Sequence, residues 1–269
     1  MDILSLLFGT VLLRPYVFIF LGLYLVIAIV DMGLVRSLAF TVVAYFVAFS
    51  SEYSSTRNGF PYGKYSYIET TRDQELWISN VPFMDSLSFC FLSYVAFTMS
   101  LLLWSRLSKR GWDIRLVEDK ALRQSWKVII SGAILFMLMD VIIDPVAFRG
   151  NRWFLGKIYF YAEEGEYFGI PLTNFGGWFL VGAATLFVYT RMEVFLEGFS
   201  GPGPYDFPSK ALLGPILYFC VLFFNLAVTF YIGESIIGLC GFLLFSVLLA
   251  LVILKILQPE NFSSDIDLN

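Results

Sequence analysis

Seven apolar runs, each approaching the roughly 20 residues that cross a bilayer as a helix, set the terms for everything this chain can fold into. They lie at about Pro15 to Val30, Val35 to Ser50, Pro82 to Leu103, Lys127 to Ile143, Asn174 to Tyr189, Leu212 to Tyr231 and Ile236 to Leu257. Lipid offers no partners to backbone N–H and C=O groups, so a run of this kind satisfies them internally as a helix. Composition agrees: charged residues make up 15% of the chain and hydrophobic ones 58%, against about 25% charged in ordinary soluble domains. The expected fold is therefore all-α, a polytopic integral membrane helical bundle of about seven transmembrane helices. One transmembrane domain is expected over residues 1–258, with a short, polar, disordered tail at 259–269. Ile3 to Leu13 is apolar too, but Arg14-Pro15 interrupts it. No basic segment precedes it and no small-residue cleavage site follows, so a short N-terminal helix is expected there and not a signal peptide.

What the chain lacks narrows its chemistry. The 22 acidic and 18 basic residues leave a net charge of -4, too mild to draw a polyanion, so nucleic acid is not an expected partner. There is no histidine, which removes His-based triads, His-ligated haem, the usual zinc sites and the commonest general base. Cys90, Cys220 and Cys240 fall in apolar runs without CxxC spacing and read as buried small side chains. Gly165, Gly169, Gly176 and Gly177 have neither the spacing nor the context of a phosphate-binding turn and read as turn and close-packing positions. Neither a cofactor nor a metal is expected.

Orientation follows from the basic residues. Arg106, Lys109, Arg110, Arg115, Lys120 and Arg123 crowd the loop at 104–126, which the positive-inside rule assigns to the cytoplasm of a multi-pass cell-membrane protein. Counting helices from there gathers Glu52, Asp85, Asp140, Asp144, Glu164, Glu166, Asn174 and Glu234 at the opposite face. Asp31 falls on the cytoplasmic side and reads as a surface acid. Asp140 and Asp144, four residues apart, share a helix face one turn apart. Carboxylates at the edge of a hydrocarbon-embedded segment are costly and are candidates for function by default. Asp144 precedes Pro145 and is expected to end its helix. Structural alternatives are an ion pair of Asp144 with Arg149 or Arg152, and one of Glu52 with Arg57. The loops on that face, Thr56 to Tyr67 and Phe148 to Pro171, are rich in Tyr and Trp; together they predict an aromatic-lined cavity with a polar lip.

Four segments in this order, TRNGFPYGKYSY, VPFMDSLSF, MDVIIDP and GEYFGIPLTNFGGW, resemble the membrane-bound carotenoid hydratase family, which includes bisanhydrobacterioruberin hydratase and the carotenoid 1,2-hydratases. The resemblance covers roughly Ala48 to Val181. It implies a carbon–oxygen lyase of carotenoid biosynthesis that needs no cofactor and adds water to the terminal double bond of an acyclic carotenoid end group, giving a tertiary alcohol. The implied partners are that carotenoid, membrane lipid and other carotenoid-pathway enzymes.

Hydrating such an alkene needs an acid to protonate the less substituted carbon, a surround that tolerates the cation, and a placed water. Asp140, a turn deeper than Asp144, is the expected proton donor. Asp144, Glu166 or Glu52 are the expected partners that hold the water and accept its proton. Asn174, Tyr62, Arg57, Asp85, Trp178 and Tyr167 are the expected substrate contacts, aromatic faces steadying the charge. Two other classes stay open. An Asp-x-x-x-Asp pair with Arg149, Arg152 and Lys157 nearby suits a Mg-dependent prenyltransferase acting on isoprenoid diphosphates, although a second Asp-rich motif is missing. Intramembrane acids also suit a transporter, although no inverted repeat is visible.

Overall fold

The computed structural model describes residues 2–117, 119–196 and 205–258; the tail at 259–269 lies outside them. Nine helices are present among these residues: α1 (Ile3–Leu13), α2 (Pro15–Met32), α3 (Leu34–Asn58), α4 (Phe83–Trp104), the single turn α5 (Lys120–Arg123), α6 (Trp126–Ala147), α7 (Leu172–Leu196), α8 (Leu213–Tyr231) and α9 (Ser235–Leu257). All but α1 and α5 are long and apolar enough to cross a membrane. The chain is an all-α polytopic bundle, as its hydropathy predicts.

The helices outrun the apolar runs at the polar end. α3 continues to Asn58 through Glu52 and Arg57, and α6 continues to Ala147 with Pro145 inside it. Asp144 therefore does not end its helix. Pro145 sits in the last turn, where the absent N–H forfeits one bond only, and Phe148 N–H closes the turn onto Asp144 O at 2.8 Å. α4 is the axis of the bundle: almost all its side chains from Met84 to Leu102 are buried, and α2, α3, α6 and α8 pack around it. α6 and α7 approach closely because a side chain at Gly182 would meet Phe136 and the Ala133 backbone within 3.2 Å, the small-residue contact that membrane helices use.

Two expectations are corrected here. Cys90 is buried, but Cys220 and Cys240 lie exposed on outer helix faces, where lipid accepts a small apolar side chain as readily as a core does. Asp31 is not a surface acid: it is half-buried and accepts a hydrogen bond from Tyr94 Oη at 3.1 Å.

The polar loops carry short β-ribbons. β1 (Tyr65–Tyr67) pairs antiparallel with β6 (Tyr159–Tyr161), setting Tyr65 opposite Tyr161 and Tyr67 opposite Tyr159. β2 (Trp77–Ile78) pairs with β3 (Val81–Pro82), and β4 (Leu107–Arg110) with β5 (Asp113–Leu116). Strand alternation puts the four tyrosines on one face of the β1–β6 ribbon and Ser66 and Phe160 on the other.

The break between α1 and α2 is an anchor. Arg14 Nη2 meets Glu75 Oε1 at 2.9 Å with both side chains buried, and Arg14 Nη1 donates to Leu155 O. Leu76 N–H donates to Thr10 Oγ1 at 2.8 Å, so α1 is tied to the loops that roof the polar end. Breaking a buried pair on one side leaves an uncompensated charge. Arg14→Met should therefore lower stability by about 3–5 kcal/mol, and the double variant Arg14→Met/Glu75→Leu should recover most of it, as read by thermal unfolding in detergent.

Candidate functional site

At the end of the bundle that carries the acids lies a cavity of about 950 Å³, its open mouth included. α4 forms its floor. α3 contributes Glu52, α6 contributes Asp144, α7 contributes Asn174 and Trp178, and β1 and β6 close it with their tyrosines. One half of the wall is polar; the other, formed by α2 and α8, is aromatic and aliphatic apart from Asn225.

The polar half is organised by one amide. Asn174, in the first turn of α7, points its Nδ2 at the last turns of α6 and donates to Asp140 Oδ2 at 2.6 Å and Asp144 Oδ2 at 3.0 Å. Tyr159 Oη donates to Asp144 Oδ1 at 2.6 Å, and Tyr161 Oη to Asp144 Oδ2 at 3.3 Å. Asp144 is thus met by three donors. Asp140, wholly buried, is met by Asn174, while its Oδ1 has no partner among the described residues. Across the cavity, Ser86 Oγ donates to Glu52, Tyr67 Oη donates to Asp85, and the Tyr65 and Tyr67 hydroxyls stand 3.2 Å apart. The Tyr62 hydroxyl, also on the wall, is buried with no partner among the described residues.

The apolar surround of the acids is aromatic. Trp178 is stacked on Phe89 at 4.5 Å between ring centroids and tilted against Phe136 at 4.6 Å. Gly177 lets this wall close: a side chain there would come within 2.5 Å of the Tyr62 ring and 2.8 Å of the Pro61 carbonyl. Trp178, Phe89 and Tyr62 line the cavity, and aromatic rings favour a nearby positive charge without offering a nucleophile.

A family model described as carotenoid biosynthesis protein matches residues 3–256. The chain belongs to that family. Comparison with curated proteins and with solved structures gives no match. The match runs from α1 into the last turn of α9, so the carotenoid biosynthesis family accounts for the bundle and for both cavity walls.

The predicted residues of this carotenoid-family protein divide into three groups. Glu52, Asp85, Asp144, Asn174, Tyr62 and Trp178 line the cavity. Asp140 is off the lining and bonded to Asn174. Glu166, Arg57 and Tyr167 are elsewhere. Glu166 accepts the Leu172 N–H at 3.2 Å and caps α7. Arg57 lies over the Tyr53 ring and donates to Asn80 Oδ1 at 2.6 Å. Tyr167 packs edge-on to Phe168 and Phe175. The expected structural ion pairs are not made either: Arg149 and Arg152 both engage Glu234, and Glu52 bonds Ser86 and not Arg57. Missing from the sequence reading were the roles of Tyr65, Tyr67, Tyr159 and Tyr161. The signal was there in YSY and YFY, whose period of two marks a strand with tyrosine on one face.

Burial first, and the neighbouring acids second, push the phenols of Tyr65, Tyr67, Tyr159 and Tyr161 well above their usual range. A raised folded value means that the unfolded chain loses these protons first. The contribution to stability is complete below about pH 10 and is lost as pH rises above it. Absorbance at 295 nm should show these four phenols still protonated at about pH 11 in the folded protein and ionising on denaturation. If replacing all four by Phe leaves the folded titration and the alkaline stability loss unchanged, this assignment is wrong.

Proposed function

We propose that the cavity holds the end group of an acyclic carotenoid and adds water across its terminal double bond to give a tertiary alcohol. One observation carries the reading: a carboxyl pair bridged by a single amide, with one member on the wall of a cavity that faces it with aromatic and aliphatic side chains. The Asp140–Asp144 pair supplies one proton: Asp140, whose Oδ1 has no partner among the described residues, carries it at rest, and Asp144, the member on the wall, delivers it to the less substituted alkene carbon. Asp140, expected to be the direct donor, acts through Asp144, because it lies off the cavity lining. The π electrons form the new C–H bond and leave a tertiary cation, which Trp178, Phe89 and Tyr62 face. Glu52 and Asp85, with Ser86 and Tyr67, hold the water on the other side. Its oxygen closes the C–O bond, its spare proton passes to a carboxylate, and the net change is one added water.

The same reading sets the basic loop at 104–126 in the cytoplasm and the acid end in the opposite leaflet, where the substrate arrives dissolved in lipid and where other enzymes of carotenoid synthesis would supply it. The diphosphate alternative needs free cations beside the acids; Arg149 and Arg152 are both engaged by Glu234, and Lys157 lies over the Phe148 ring and off the cavity lining.

Expression in a lycopene-producing host, with mass analysis of the pigments, should show carotenoid that has gained water. Asp144→Asn and Asp140→Asn should each lower that product by about 10²–10⁴-fold, the range for removing an acid–base group, while the protein still folds and binds pigment. Hydrated pigment at the parent level from Asp144→Asn would refute the mechanism. Activity lost to EDTA and restored by magnesium would favour the diphosphate chemistry instead.

A further inference from the structure

The acids occupy one side of the cavity; the side formed by α2 and α8 has no part in the chemistry above. Along α4 the lining runs from Met84 to Leu92, about 12 Å at the helical rise of 1.5 Å per residue. An extended carotenoid is about as long as the hydrocarbon core of a bilayer is thick, roughly 30 Å. More than half of such a chain has no room beside α4. On the acid side the β1–β6 ribbon lies against the cavity with its tyrosines in the lining.

The side formed by α2 and α8 is walled by aromatic rings and aliphatic side chains, with Asn225 among them. Tyr16 and Phe20 on α2, Phe224 on α8 and Trp153 from the loop after α6 all line the cavity and are all half-buried. Tyr16 stacks on Phe224 at 5.7 Å and Phe20 meets Phe224 edge-on at 5.6 Å. Their neighbours Ile19 and Phe223 are 61% and 65% exposed on the outer apolar surface. Among the described residues no hydrogen bond or ion pair joins α2 to α8. Trp153 is pinned by its Nε1 to Val146 O at 3.0 Å, whereas Phe20 and Phe224 have no polar contact to break when they turn.

We propose that the seam between α2 and α8 is a lateral portal for an acyclic polyene. The end group passes from lipid between Phe20 and Phe224 to the acids, and the remainder of the chain stays outside along the seam. This rests on the reading of the cavity as a carotenoid site. It adds that the substrate binds end-on, so one end is processed per binding event and a second hydration requires release and reversal of the chain.

The test joins the two sides of the seam. In a protein with Cys90, Cys220 and Cys240 replaced by Ala, Phe20→Cys and Phe224→Cys are linked by a short bis-thiosulfonate reagent in pigment-free nanodiscs, and lycopene is then supplied in vesicles. The readout is the visible circular dichroism that an achiral polyene acquires in a chiral site, which needs no turnover. The unlinked protein should give the signal. Linking should cut it about tenfold or more, as for a site whose competent state falls to one part in ten, and reductant should restore it, which also shows that the linked protein was folded. A single Phe224→Cys carrying a bulky thiol adduct should act in the same direction. Equal signals from linked and unlinked protein would overturn the portal. Loss on linking in a protein that never hydrates lycopene would uphold the portal and sink the hydratase reading. No signal from the parent protein would sink both.

Discussion

A carboxyl group shut away from water must find donors or go without, and an unmet buried charge is among the most costly features a protein can carry. Here the side-chain amide of Asn174 touches both members of the Asp140–Asp144 pair. That contact requires the first turn of α7 to lie against the last turns of α6. The packing below it is arranged to allow this: Gly182 admits Phe136 and the Ala133 backbone, and Gly177 admits Tyr62 and the Pro61 carbonyl. Where α6 and α7 meet, the cavity acquires its acid wall.

The tyrosine ribbon does the same for the roof. β1 and β6 are only three residues each, too short to stand alone, yet their register sets four phenols above the acids on one side. Tyr159 and Tyr161 complete the donors to Asp144, and Tyr67 serves Asp85. Phenols of raised pKa remain donors across the physiological range and carry no charge of their own into the cavity. The result is a site that is polar on one side, with no Lys or Arg on its wall among the described residues.

Much of the bundle was legible in hydropathy. Each of the seven apolar runs became a helix, because lipid permits little else. Errors gathered at the ends. Asp144-Pro145 read as a stop, but a proline in the final turn loses only one bond, so α6 went on to Ala147. Glu166, Arg57 and Tyr167 shared segments with true lining residues and were read with them. Proximity along the chain does not say which way a side chain turns: Glu166 is drawn to the open N–H groups at the start of α7, and Arg57 to the Tyr53 ring one turn back.

Taken alone, the sequence determined the class of fold, the number of membrane-length helices, the end at which the acids collect, and that Asp140 and Asp144 share a face. These follow from hydrophobic length and helical period, which are local. Only tertiary structure decided that Asp144 and not Asp140 meets the cavity, that Asn174 bridges them, and that tyrosines from two distant loops cover them. Those outcomes depend on the rotation of each helix about its own axis and on strand register. Both are set by contacts between residues far apart in the chain, and no local pattern encodes them.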